Sequence, residues 1–131
     1  MIITKEKLFQ YGTEIFVNAG VCQQEAEVVM DELVTANLYG VDSHGVIRIP
    51  QYLEEIKNGN IIPNAPVEVV KETATTAVID GNHNFGQIVG RKMVAVLAEK
   101  AKKICSLAPL VCTRIMRAES GHGWKGLPQK A

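Results

Sequence analysis

The stretch Gly40-Val41-Asp42-Ser43-His44-Gly45-Val46-Ile47-Arg48-Ile49-Pro50-Gln51-Tyr52 decides how this 131-residue chain is read. Asp42 and Ser43 are both good N-caps, because their short side chains accept from the unpaired amides of a first helical turn. They predict a short helix starting there. Pro50 cannot sit inside an undisturbed helix, so a kink or a fresh start is expected at that point, with Leu53, Ile56 and Gly59 carrying the helix on and stopping it. His44, Arg48 and Tyr52 recur at intervals of four, which on a continuous helix puts an imidazole, a guanidinium fork and a phenol on one face. Such a set suits a 2-keto or 2-hydroxy acid. The arginine can bind the carboxylate bidentately, and the histidine can give or take the proton on the neighbouring oxygen. Ser43, beside it, could steady the ring or touch the substrate. The plain alternative is a helix start followed by an ordinary surface histidine, with Pro50 interrupting the shared face.

Working outward toward the N-terminus, Thr4 can cap a first helix, in which Leu8, Phe9, Ile15, Phe16 and Ala19 recur at helical spacing before Gly20 ends it. A second helix is predicted from about Gln23 to Tyr39, with Ala26, Val29, Met30, Leu33 and Asn37 as its inner stripe and Gly40 as its stop. Glu25, Glu27, Asp31 and Glu32 lie near its start, where the helix macrodipole favours anions. The two helices are expected to form an antiparallel pair.

Toward the C-terminus, residues 60–66 contain two prolines and predict a connecting loop. The β-branched runs Val67–Lys71 and Thr76–Asp80 predict two strands with a turn between them, whose sheet edges lack an evident partner in the remaining sequence. A second loop over Gly81–Gly86 leads into a long amphipathic helix from about Gln87 to Lys103, with Ile88, Met93, Val96, Leu97 and Ala101 along one side.

Composition sets the outer bounds. Hydrophobic residues make up 47% and charged residues 21% of the chain, which excludes a disordered segment, a collagen-like repeat and a disulfide miniprotein. Lys+Arg and Asp+Glu are 14 each, and basic residues are not interleaved with aromatics, so no nucleic-acid partner is expected. No apolar run reaches the roughly 20 residues of a membrane span, and the first residues mix Lys and Glu with apolar positions, unlike a secretory signal. Cys22, Cys105 and Cys112 are odd in number and without framework spacing, which fits a reducing cytoplasm.

Two glycine patterns are set aside. Gly81-Asn82-His83-Asn84-Phe85-Gly86-Gln87 has the gap of a phosphate-binding loop, but Gln87 and Ile88 stand where lysine and a hydroxyl residue are needed, so a strand-to-helix turn is expected. Gly121-His122-Gly123-Trp124-Lys125-Gly126 has the spacing of a dinucleotide fingerprint without the strand before it, the helix after it or the later acidic residue. Cys105, Cys112 and His122 do not have zinc-ligand spacing, and no metal site is expected.

The Ser43-His44-Gly45…Arg48…Pro50…Tyr52 order resembles the malate/L-lactate dehydrogenase family, the non-Rossmann NAD(P)-dependent group that includes sulfolactate, ureidoglycolate and diketogulonate-type enzymes. The resemblance continues through Leu53–Pro63, Val78–Gly90 and Ala98–Lys103, and so covers roughly the first 103 residues. It implies an α/β fold with a helical N-terminal part followed by an unusual mixed α/β core, in homodimers. It also implies hydride transfer between NAD or NADP and a small 2-keto or 2-hydroxy acid. His44 would be the proton donor or a substrate ligand, Arg48 would bind the carboxylate, and Ser43 and Tyr52 would shape the pocket. The cofactor-binding residues are left unassigned.

A seam is expected at 103/104. Residues 1–103 carry ten basic and thirteen acidic side chains, whereas residues 104–131 carry four basic and one acidic, with no periodicity. The expected organisation is a helical part over 1–62, the strand-strand-helix beginning of the mixed core over 63–103, and an atypical tail over 104–131. A frame shift near codon 103, leaving a truncated and inactive fragment, is the working hypothesis for that tail. The competing expectation is a non-catalytic helical module that pairs with itself or with a full-length homologue.

Overall fold

The computed structural model describes residues 3–104, and the tail from residue 105, with Cys105, Cys112, His122 and the Gly121–Gly126 pattern, lies outside the described residues. Helix α1 spans Lys5–Asn18, with the Thr4 hydroxyl accepting from the Lys7 amide, and Gly20 takes the left-handed conformation (φ +93°) that turns the chain back. Helix α2 spans Gln23–Leu38 and packs antiparallel against α1, as the periodicity predicts. The fit is close. Gly12 of α1 faces Met30 of α2, and a Cβ at that glycine would land on the methionine side chain.

The short helix capped by Asp42 or Ser43 is not formed, whereas the fresh start expected at Pro50 is. Two separate turns of 3-10 helix, Asp42–His44 and Val46–Arg48, flank Gly45, whose backbone is extended (φ −88°, ψ −155°). Helix α3 then starts afresh at Ile49 and runs to Lys57, with Pro50 in its first turn, where a missing N–H costs nothing. Neither Asp42 nor Ser43 caps a helix; Asp42 instead accepts a hydrogen bond from the Asn37 side chain. The extended Gly45 breaks the continuous helical face on which His44, Arg48 and Tyr52 were expected to align.

Strands β1 (Glu68–Glu72) and β2 (Ala77–Asp80) form an antiparallel hairpin paired Glu68 with Asp80 and Glu72 with Ala77, with a bulge at Val70. Helix α4 spans Gly86–Ile104. The loop before it is the strand-to-helix turn expected, with Asn82 and His83 both at positive φ (46° and 61°).

One apolar cluster organises the molecule. Phe16, Val21, Ala26, Val29, Met30, Leu33, Val34 and Phe85 are buried, with Ile49, Tyr52, Leu53, Ile56, Ile61 and Ile88 packed around them. Phe85 thus brings the start of α4 into the core of the α1/α2 pair. Ile15, placed on the inner stripe by spacing, is 41% exposed, because Gly12, Thr13 and Phe16 form the buried line of α1. The hairpin lies outside this cluster, with every residue of β1 exposed. Lys100 of α4 pins it, donating to the Thr73 carbonyl at 2.6 Å and pairing with Glu72 at 3.0 Å. Among the described residues no helix is long and apolar enough to cross a membrane.

Candidate functional site

Ser43 links the two groups that the sequence singles out. Its hydroxyl lies 3.0 Å from His44 Nδ1, and its carbonyl accepts from Arg48 Nε at 2.7 Å. The guanidinium is further held by Nη1 donating to Gln51 Oε1 at 2.7 Å. Imidazole and guanidinium are therefore gathered by a folded turn, not by helical periodicity. His44 is exposed and Arg48 half-buried, so both are open to a small ligand. Among the described residues, none of the ion pairs involves Arg48, so none of them neutralises its charge.

Tyr52 belongs to a different environment. Its ring packs against Phe16 and Phe85 with centroid separations of 6.4 and 5.8 Å, and its hydroxyl accepts from Gln87 Nε2 at 3.0 Å. It lines an open cleft of about 870 Å³ together with Ile61, Phe85, Gln87, Arg91 and Val94. The structure thus joins Ser43, His44 and Arg48 directly, and sets Tyr52 one helical turn away against the core.

Two residues matter here that sequence reasoning did not assign. Asn37, expected on the inner stripe of α2, donates to Asp42 Oδ1 at 2.6 Å and accepts from the Val46 amide at 2.8 Å. Gln87 holds the Tyr52 hydroxyl. A polar residue on an otherwise apolar helical stripe was the available signal for Asn37. Gln87 lies 35 residues from its partner and left no comparable trace.

The model of the malate/L-lactate dehydrogenase family matches residues 3–113. The chain belongs to that family. The match runs past position 103, through the first part of the expected tail. Among relatives, L-sulfolactate dehydrogenase of Methanocaldococcus jannaschii is 38% identical over 104 residues, covering 79% of this chain and 30% of the relative. Malate/(S)-sulfolactate dehydrogenase of Methanothermus fervidus is 41% identical over 102 residues, covering 78% of this chain and 30% of the relative. The solved malate dehydrogenase from Pyrococcus horikoshii superposes with a TM-score of 0.76 at 34% identity, over 79% of this chain and 30% of that one. The chain therefore spans about 30% of the length of the relatives it matches. Its helices and small sheet share the fold of these dehydrogenases over the matched stretch.

A dehydrogenase of this family implies a nicotinamide dinucleotide. The pyrophosphate of such a cofactor needs cations or a cradle of backbone amides. Among the described residues, the one cation lining the cleft beside Tyr52 is Arg91, which already faces Asp31 at 3.2 Å and Glu32 at 3.8 Å. That cleft by itself offers no free cation for a dinucleotide pyrophosphate. Nor, among the described residues, does any group of three His, Cys, Asp or Glu side chains converge as metal ligands would.

Proposed function

We propose that residues 42–52 form the substrate side of a hydroxy-acid dehydrogenase site, in an oxidoreductase that transfers hydride between NAD or NADP and a small 2-keto or 2-hydroxy acid. One observation carries the reading: Arg48, without a carboxylate partner among the described residues, is tied through Ser43 to the exposed imidazole of His44. Arg48 binds the carboxylate of the acid. His44 is the proton donor to the carbonyl oxygen two bonds away, or the acceptor in the reverse direction. Ser43 orients the imidazole, and Tyr52, one helical turn on, borders the neighbouring cleft from the core side. The names of the relatives, which include malate and sulfolactate dehydrogenases, favour an acid that carries a second anionic group. The reading includes a cytoplasmic homodimer, supported by the odd number of cysteines and by the exposed apolar side chains Leu38, Tyr39 and Ile47 near the turn.

Titrating the chain with L-malate, and in parallel with succinate, which lacks the hydroxyl, tests this reading by nuclear magnetic resonance. Malate is expected to shift the His44 ring and Arg48 side-chain signals, and succinate to shift Arg48 alone. Malate shifts confined to other residues would overturn the assignment. No NADH consumption is expected from the chain by itself with oxaloacetate, because the described residues supply contacts to one reactant and hydride transfer requires both to be held.

The same exposed patch favours a second reading, a non-catalytic module that associates through Leu38, Tyr39, Val41 and Ile47. Light scattering with and without an intact family member separates the two: association that persists while malate leaves His44 unperturbed supports the module.

A further inference from the structure

We infer that Asn37 is a positioning residue for His44, fixing the turn that carries the imidazole to the buried body of α2. This rests on the reading of His44 as the proton-transfer group. Asn37 sits in the last turn of α2, the helix whose Ala26, Val29, Met30, Leu33 and Val34 are all buried. Its side-chain amide reaches the chain on both sides of His44. Nδ2 donates to the Asp42 carboxylate at 2.6 Å, two residues before the histidine, and Oδ1 accepts from the Val46 amide at 2.8 Å, two residues after it. Between these anchors the turn is closed by its own backbone, with His44 N–H on the Val41 carbonyl and Gly45 N–H on the Asp42 carbonyl, each at 3.0 Å.

The close approach of Gly45 makes the bracket possible. This glycine is buried, and a Cβ there would fall on the Asn37 side-chain amide. The side chain therefore lies flat against the backbone of the turn, and no other side chain spans from α2 to both of its ends among the described hydrogen bonds. Ser43 sets the rotation of the ring, whereas Asn37 sets where the turn stands relative to the core. A group that must meet a substrate atom within hydrogen-bond reach depends on both.

The donor–acceptor pattern supplies a specific test. In Asn37→Asp the acceptor for Val46 is retained, but a carboxylate now faces the Asp42 carboxylate in place of a donor, which repels it. Adding Asp42→Asn restores a donor between the same two positions, with the direction of the bond reversed. The experiment measures, on the 131-residue chain without ligand, the ratio of the two His44 ring tautomers from 15N shifts and the exchange rates of the Gly45 and Val46 amides. His83 is the internal reference, and Ser43→Ala defines the unsteered ring. The expected result for Asn37→Asp is a tautomer ratio moved toward that of Ser43→Ala and amide exchange about tenfold faster, as loss of one hydrogen bond implies. The pair Asn37→Asp/Asp42→Asn should return both readouts to wild type. Should Asn37→Asp fail to fold, the paired variant still decides. Wild-type readouts in Asn37→Asp, or a paired variant no better than Asn37→Asp, would overturn the inference. Because no acid is present, this outcome is separate from the malate titration.

Discussion

The side-chain amide of Asn37 occupies the space that a Cβ at Gly45 would need. The backbone at Gly45 has a negative φ that any residue can adopt, so the glycine is there for closeness and not for conformational freedom. Gly45→Ala should therefore cost about 1–3 kcal/mol in a denaturant melt, as overpacking of a well-filled site does. Combining it with Asn37→Ala should recover part of that loss, giving a non-additive cycle; strict additivity would show that the two residues do not meet.

Arg48→Lys keeps the charge and removes the planar fork. A lysine cannot hold the Ser43 carbonyl and the Gln51 side chain while presenting a second face to a carboxylate. Binding of L-malate should weaken by about tenfold or more, with the melting midpoint little changed because these contacts are partly solvated. Titration calorimetry beside a thermal melt checks both halves of the expectation.

Phe85 is 1% exposed and meets Phe16 and Tyr52 edge-on, at centroid distances of 5.9 and 5.8 Å. Phe85→Ala should destabilise the fold by about 3–5 kcal/mol, since a ring-sized cavity opens between α1, α3 and the start of α4. Phe85→Leu should cost clearly less. Urea unfolding followed by circular dichroism distinguishes them.

Asn84 ties three segments through one buried side chain. Its Nδ2 donates to Glu25 Oε1 at 2.8 Å and to the Ala65 carbonyl at 2.9 Å, and its Oδ1 accepts from the Phe85 amide at 2.6 Å. Asn84→Ala should lower stability by about 1–3 kcal/mol, the cost of leaving such partners unpaired. Hydrogen exchange should locate the loosening at the Asn64 amide, which bonds the same Glu25 carboxylate, more than in α1.

Lys100 fastens the hairpin to α4 with its ammonium on Thr73 and Glu72. Lys100→Met keeps most of the buried stem and removes the charge. Exchange of the Thr73 amide, which closes the hairpin on Thr76, should speed several-fold while the α1/α2 core is unaffected.

Much of the fold was legible because the signals are local. Thr4, Gly20 and Gly40 mark ends that depend on backbone conformation alone, and α1, α2 and α4 fall within a residue or two of their periodic patterns. For the candidate site the sequence offered residue types and not their geometry. The interval of four between His44, Arg48 and Tyr52 suggested one helical face, but Gly45 is extended and the three groups are distributed between two 3-10 turns and the core. Ser43 and Arg48 come together all the same, through a backbone carbonyl that no side-chain pattern reports.

Taken by itself, the chain's order of residues determined where most helices start and stop, and the family, because each of these is written in runs of neighbouring residues. Only tertiary structure decided that Asn37 is a clamp instead of a core position, that Phe85 closes the α1/α2 pair from some 60 residues away, and that Tyr52 answers to Gln87. Those outcomes depend on which surfaces meet once apolar faces are driven out of water, and that meeting has no period along the sequence.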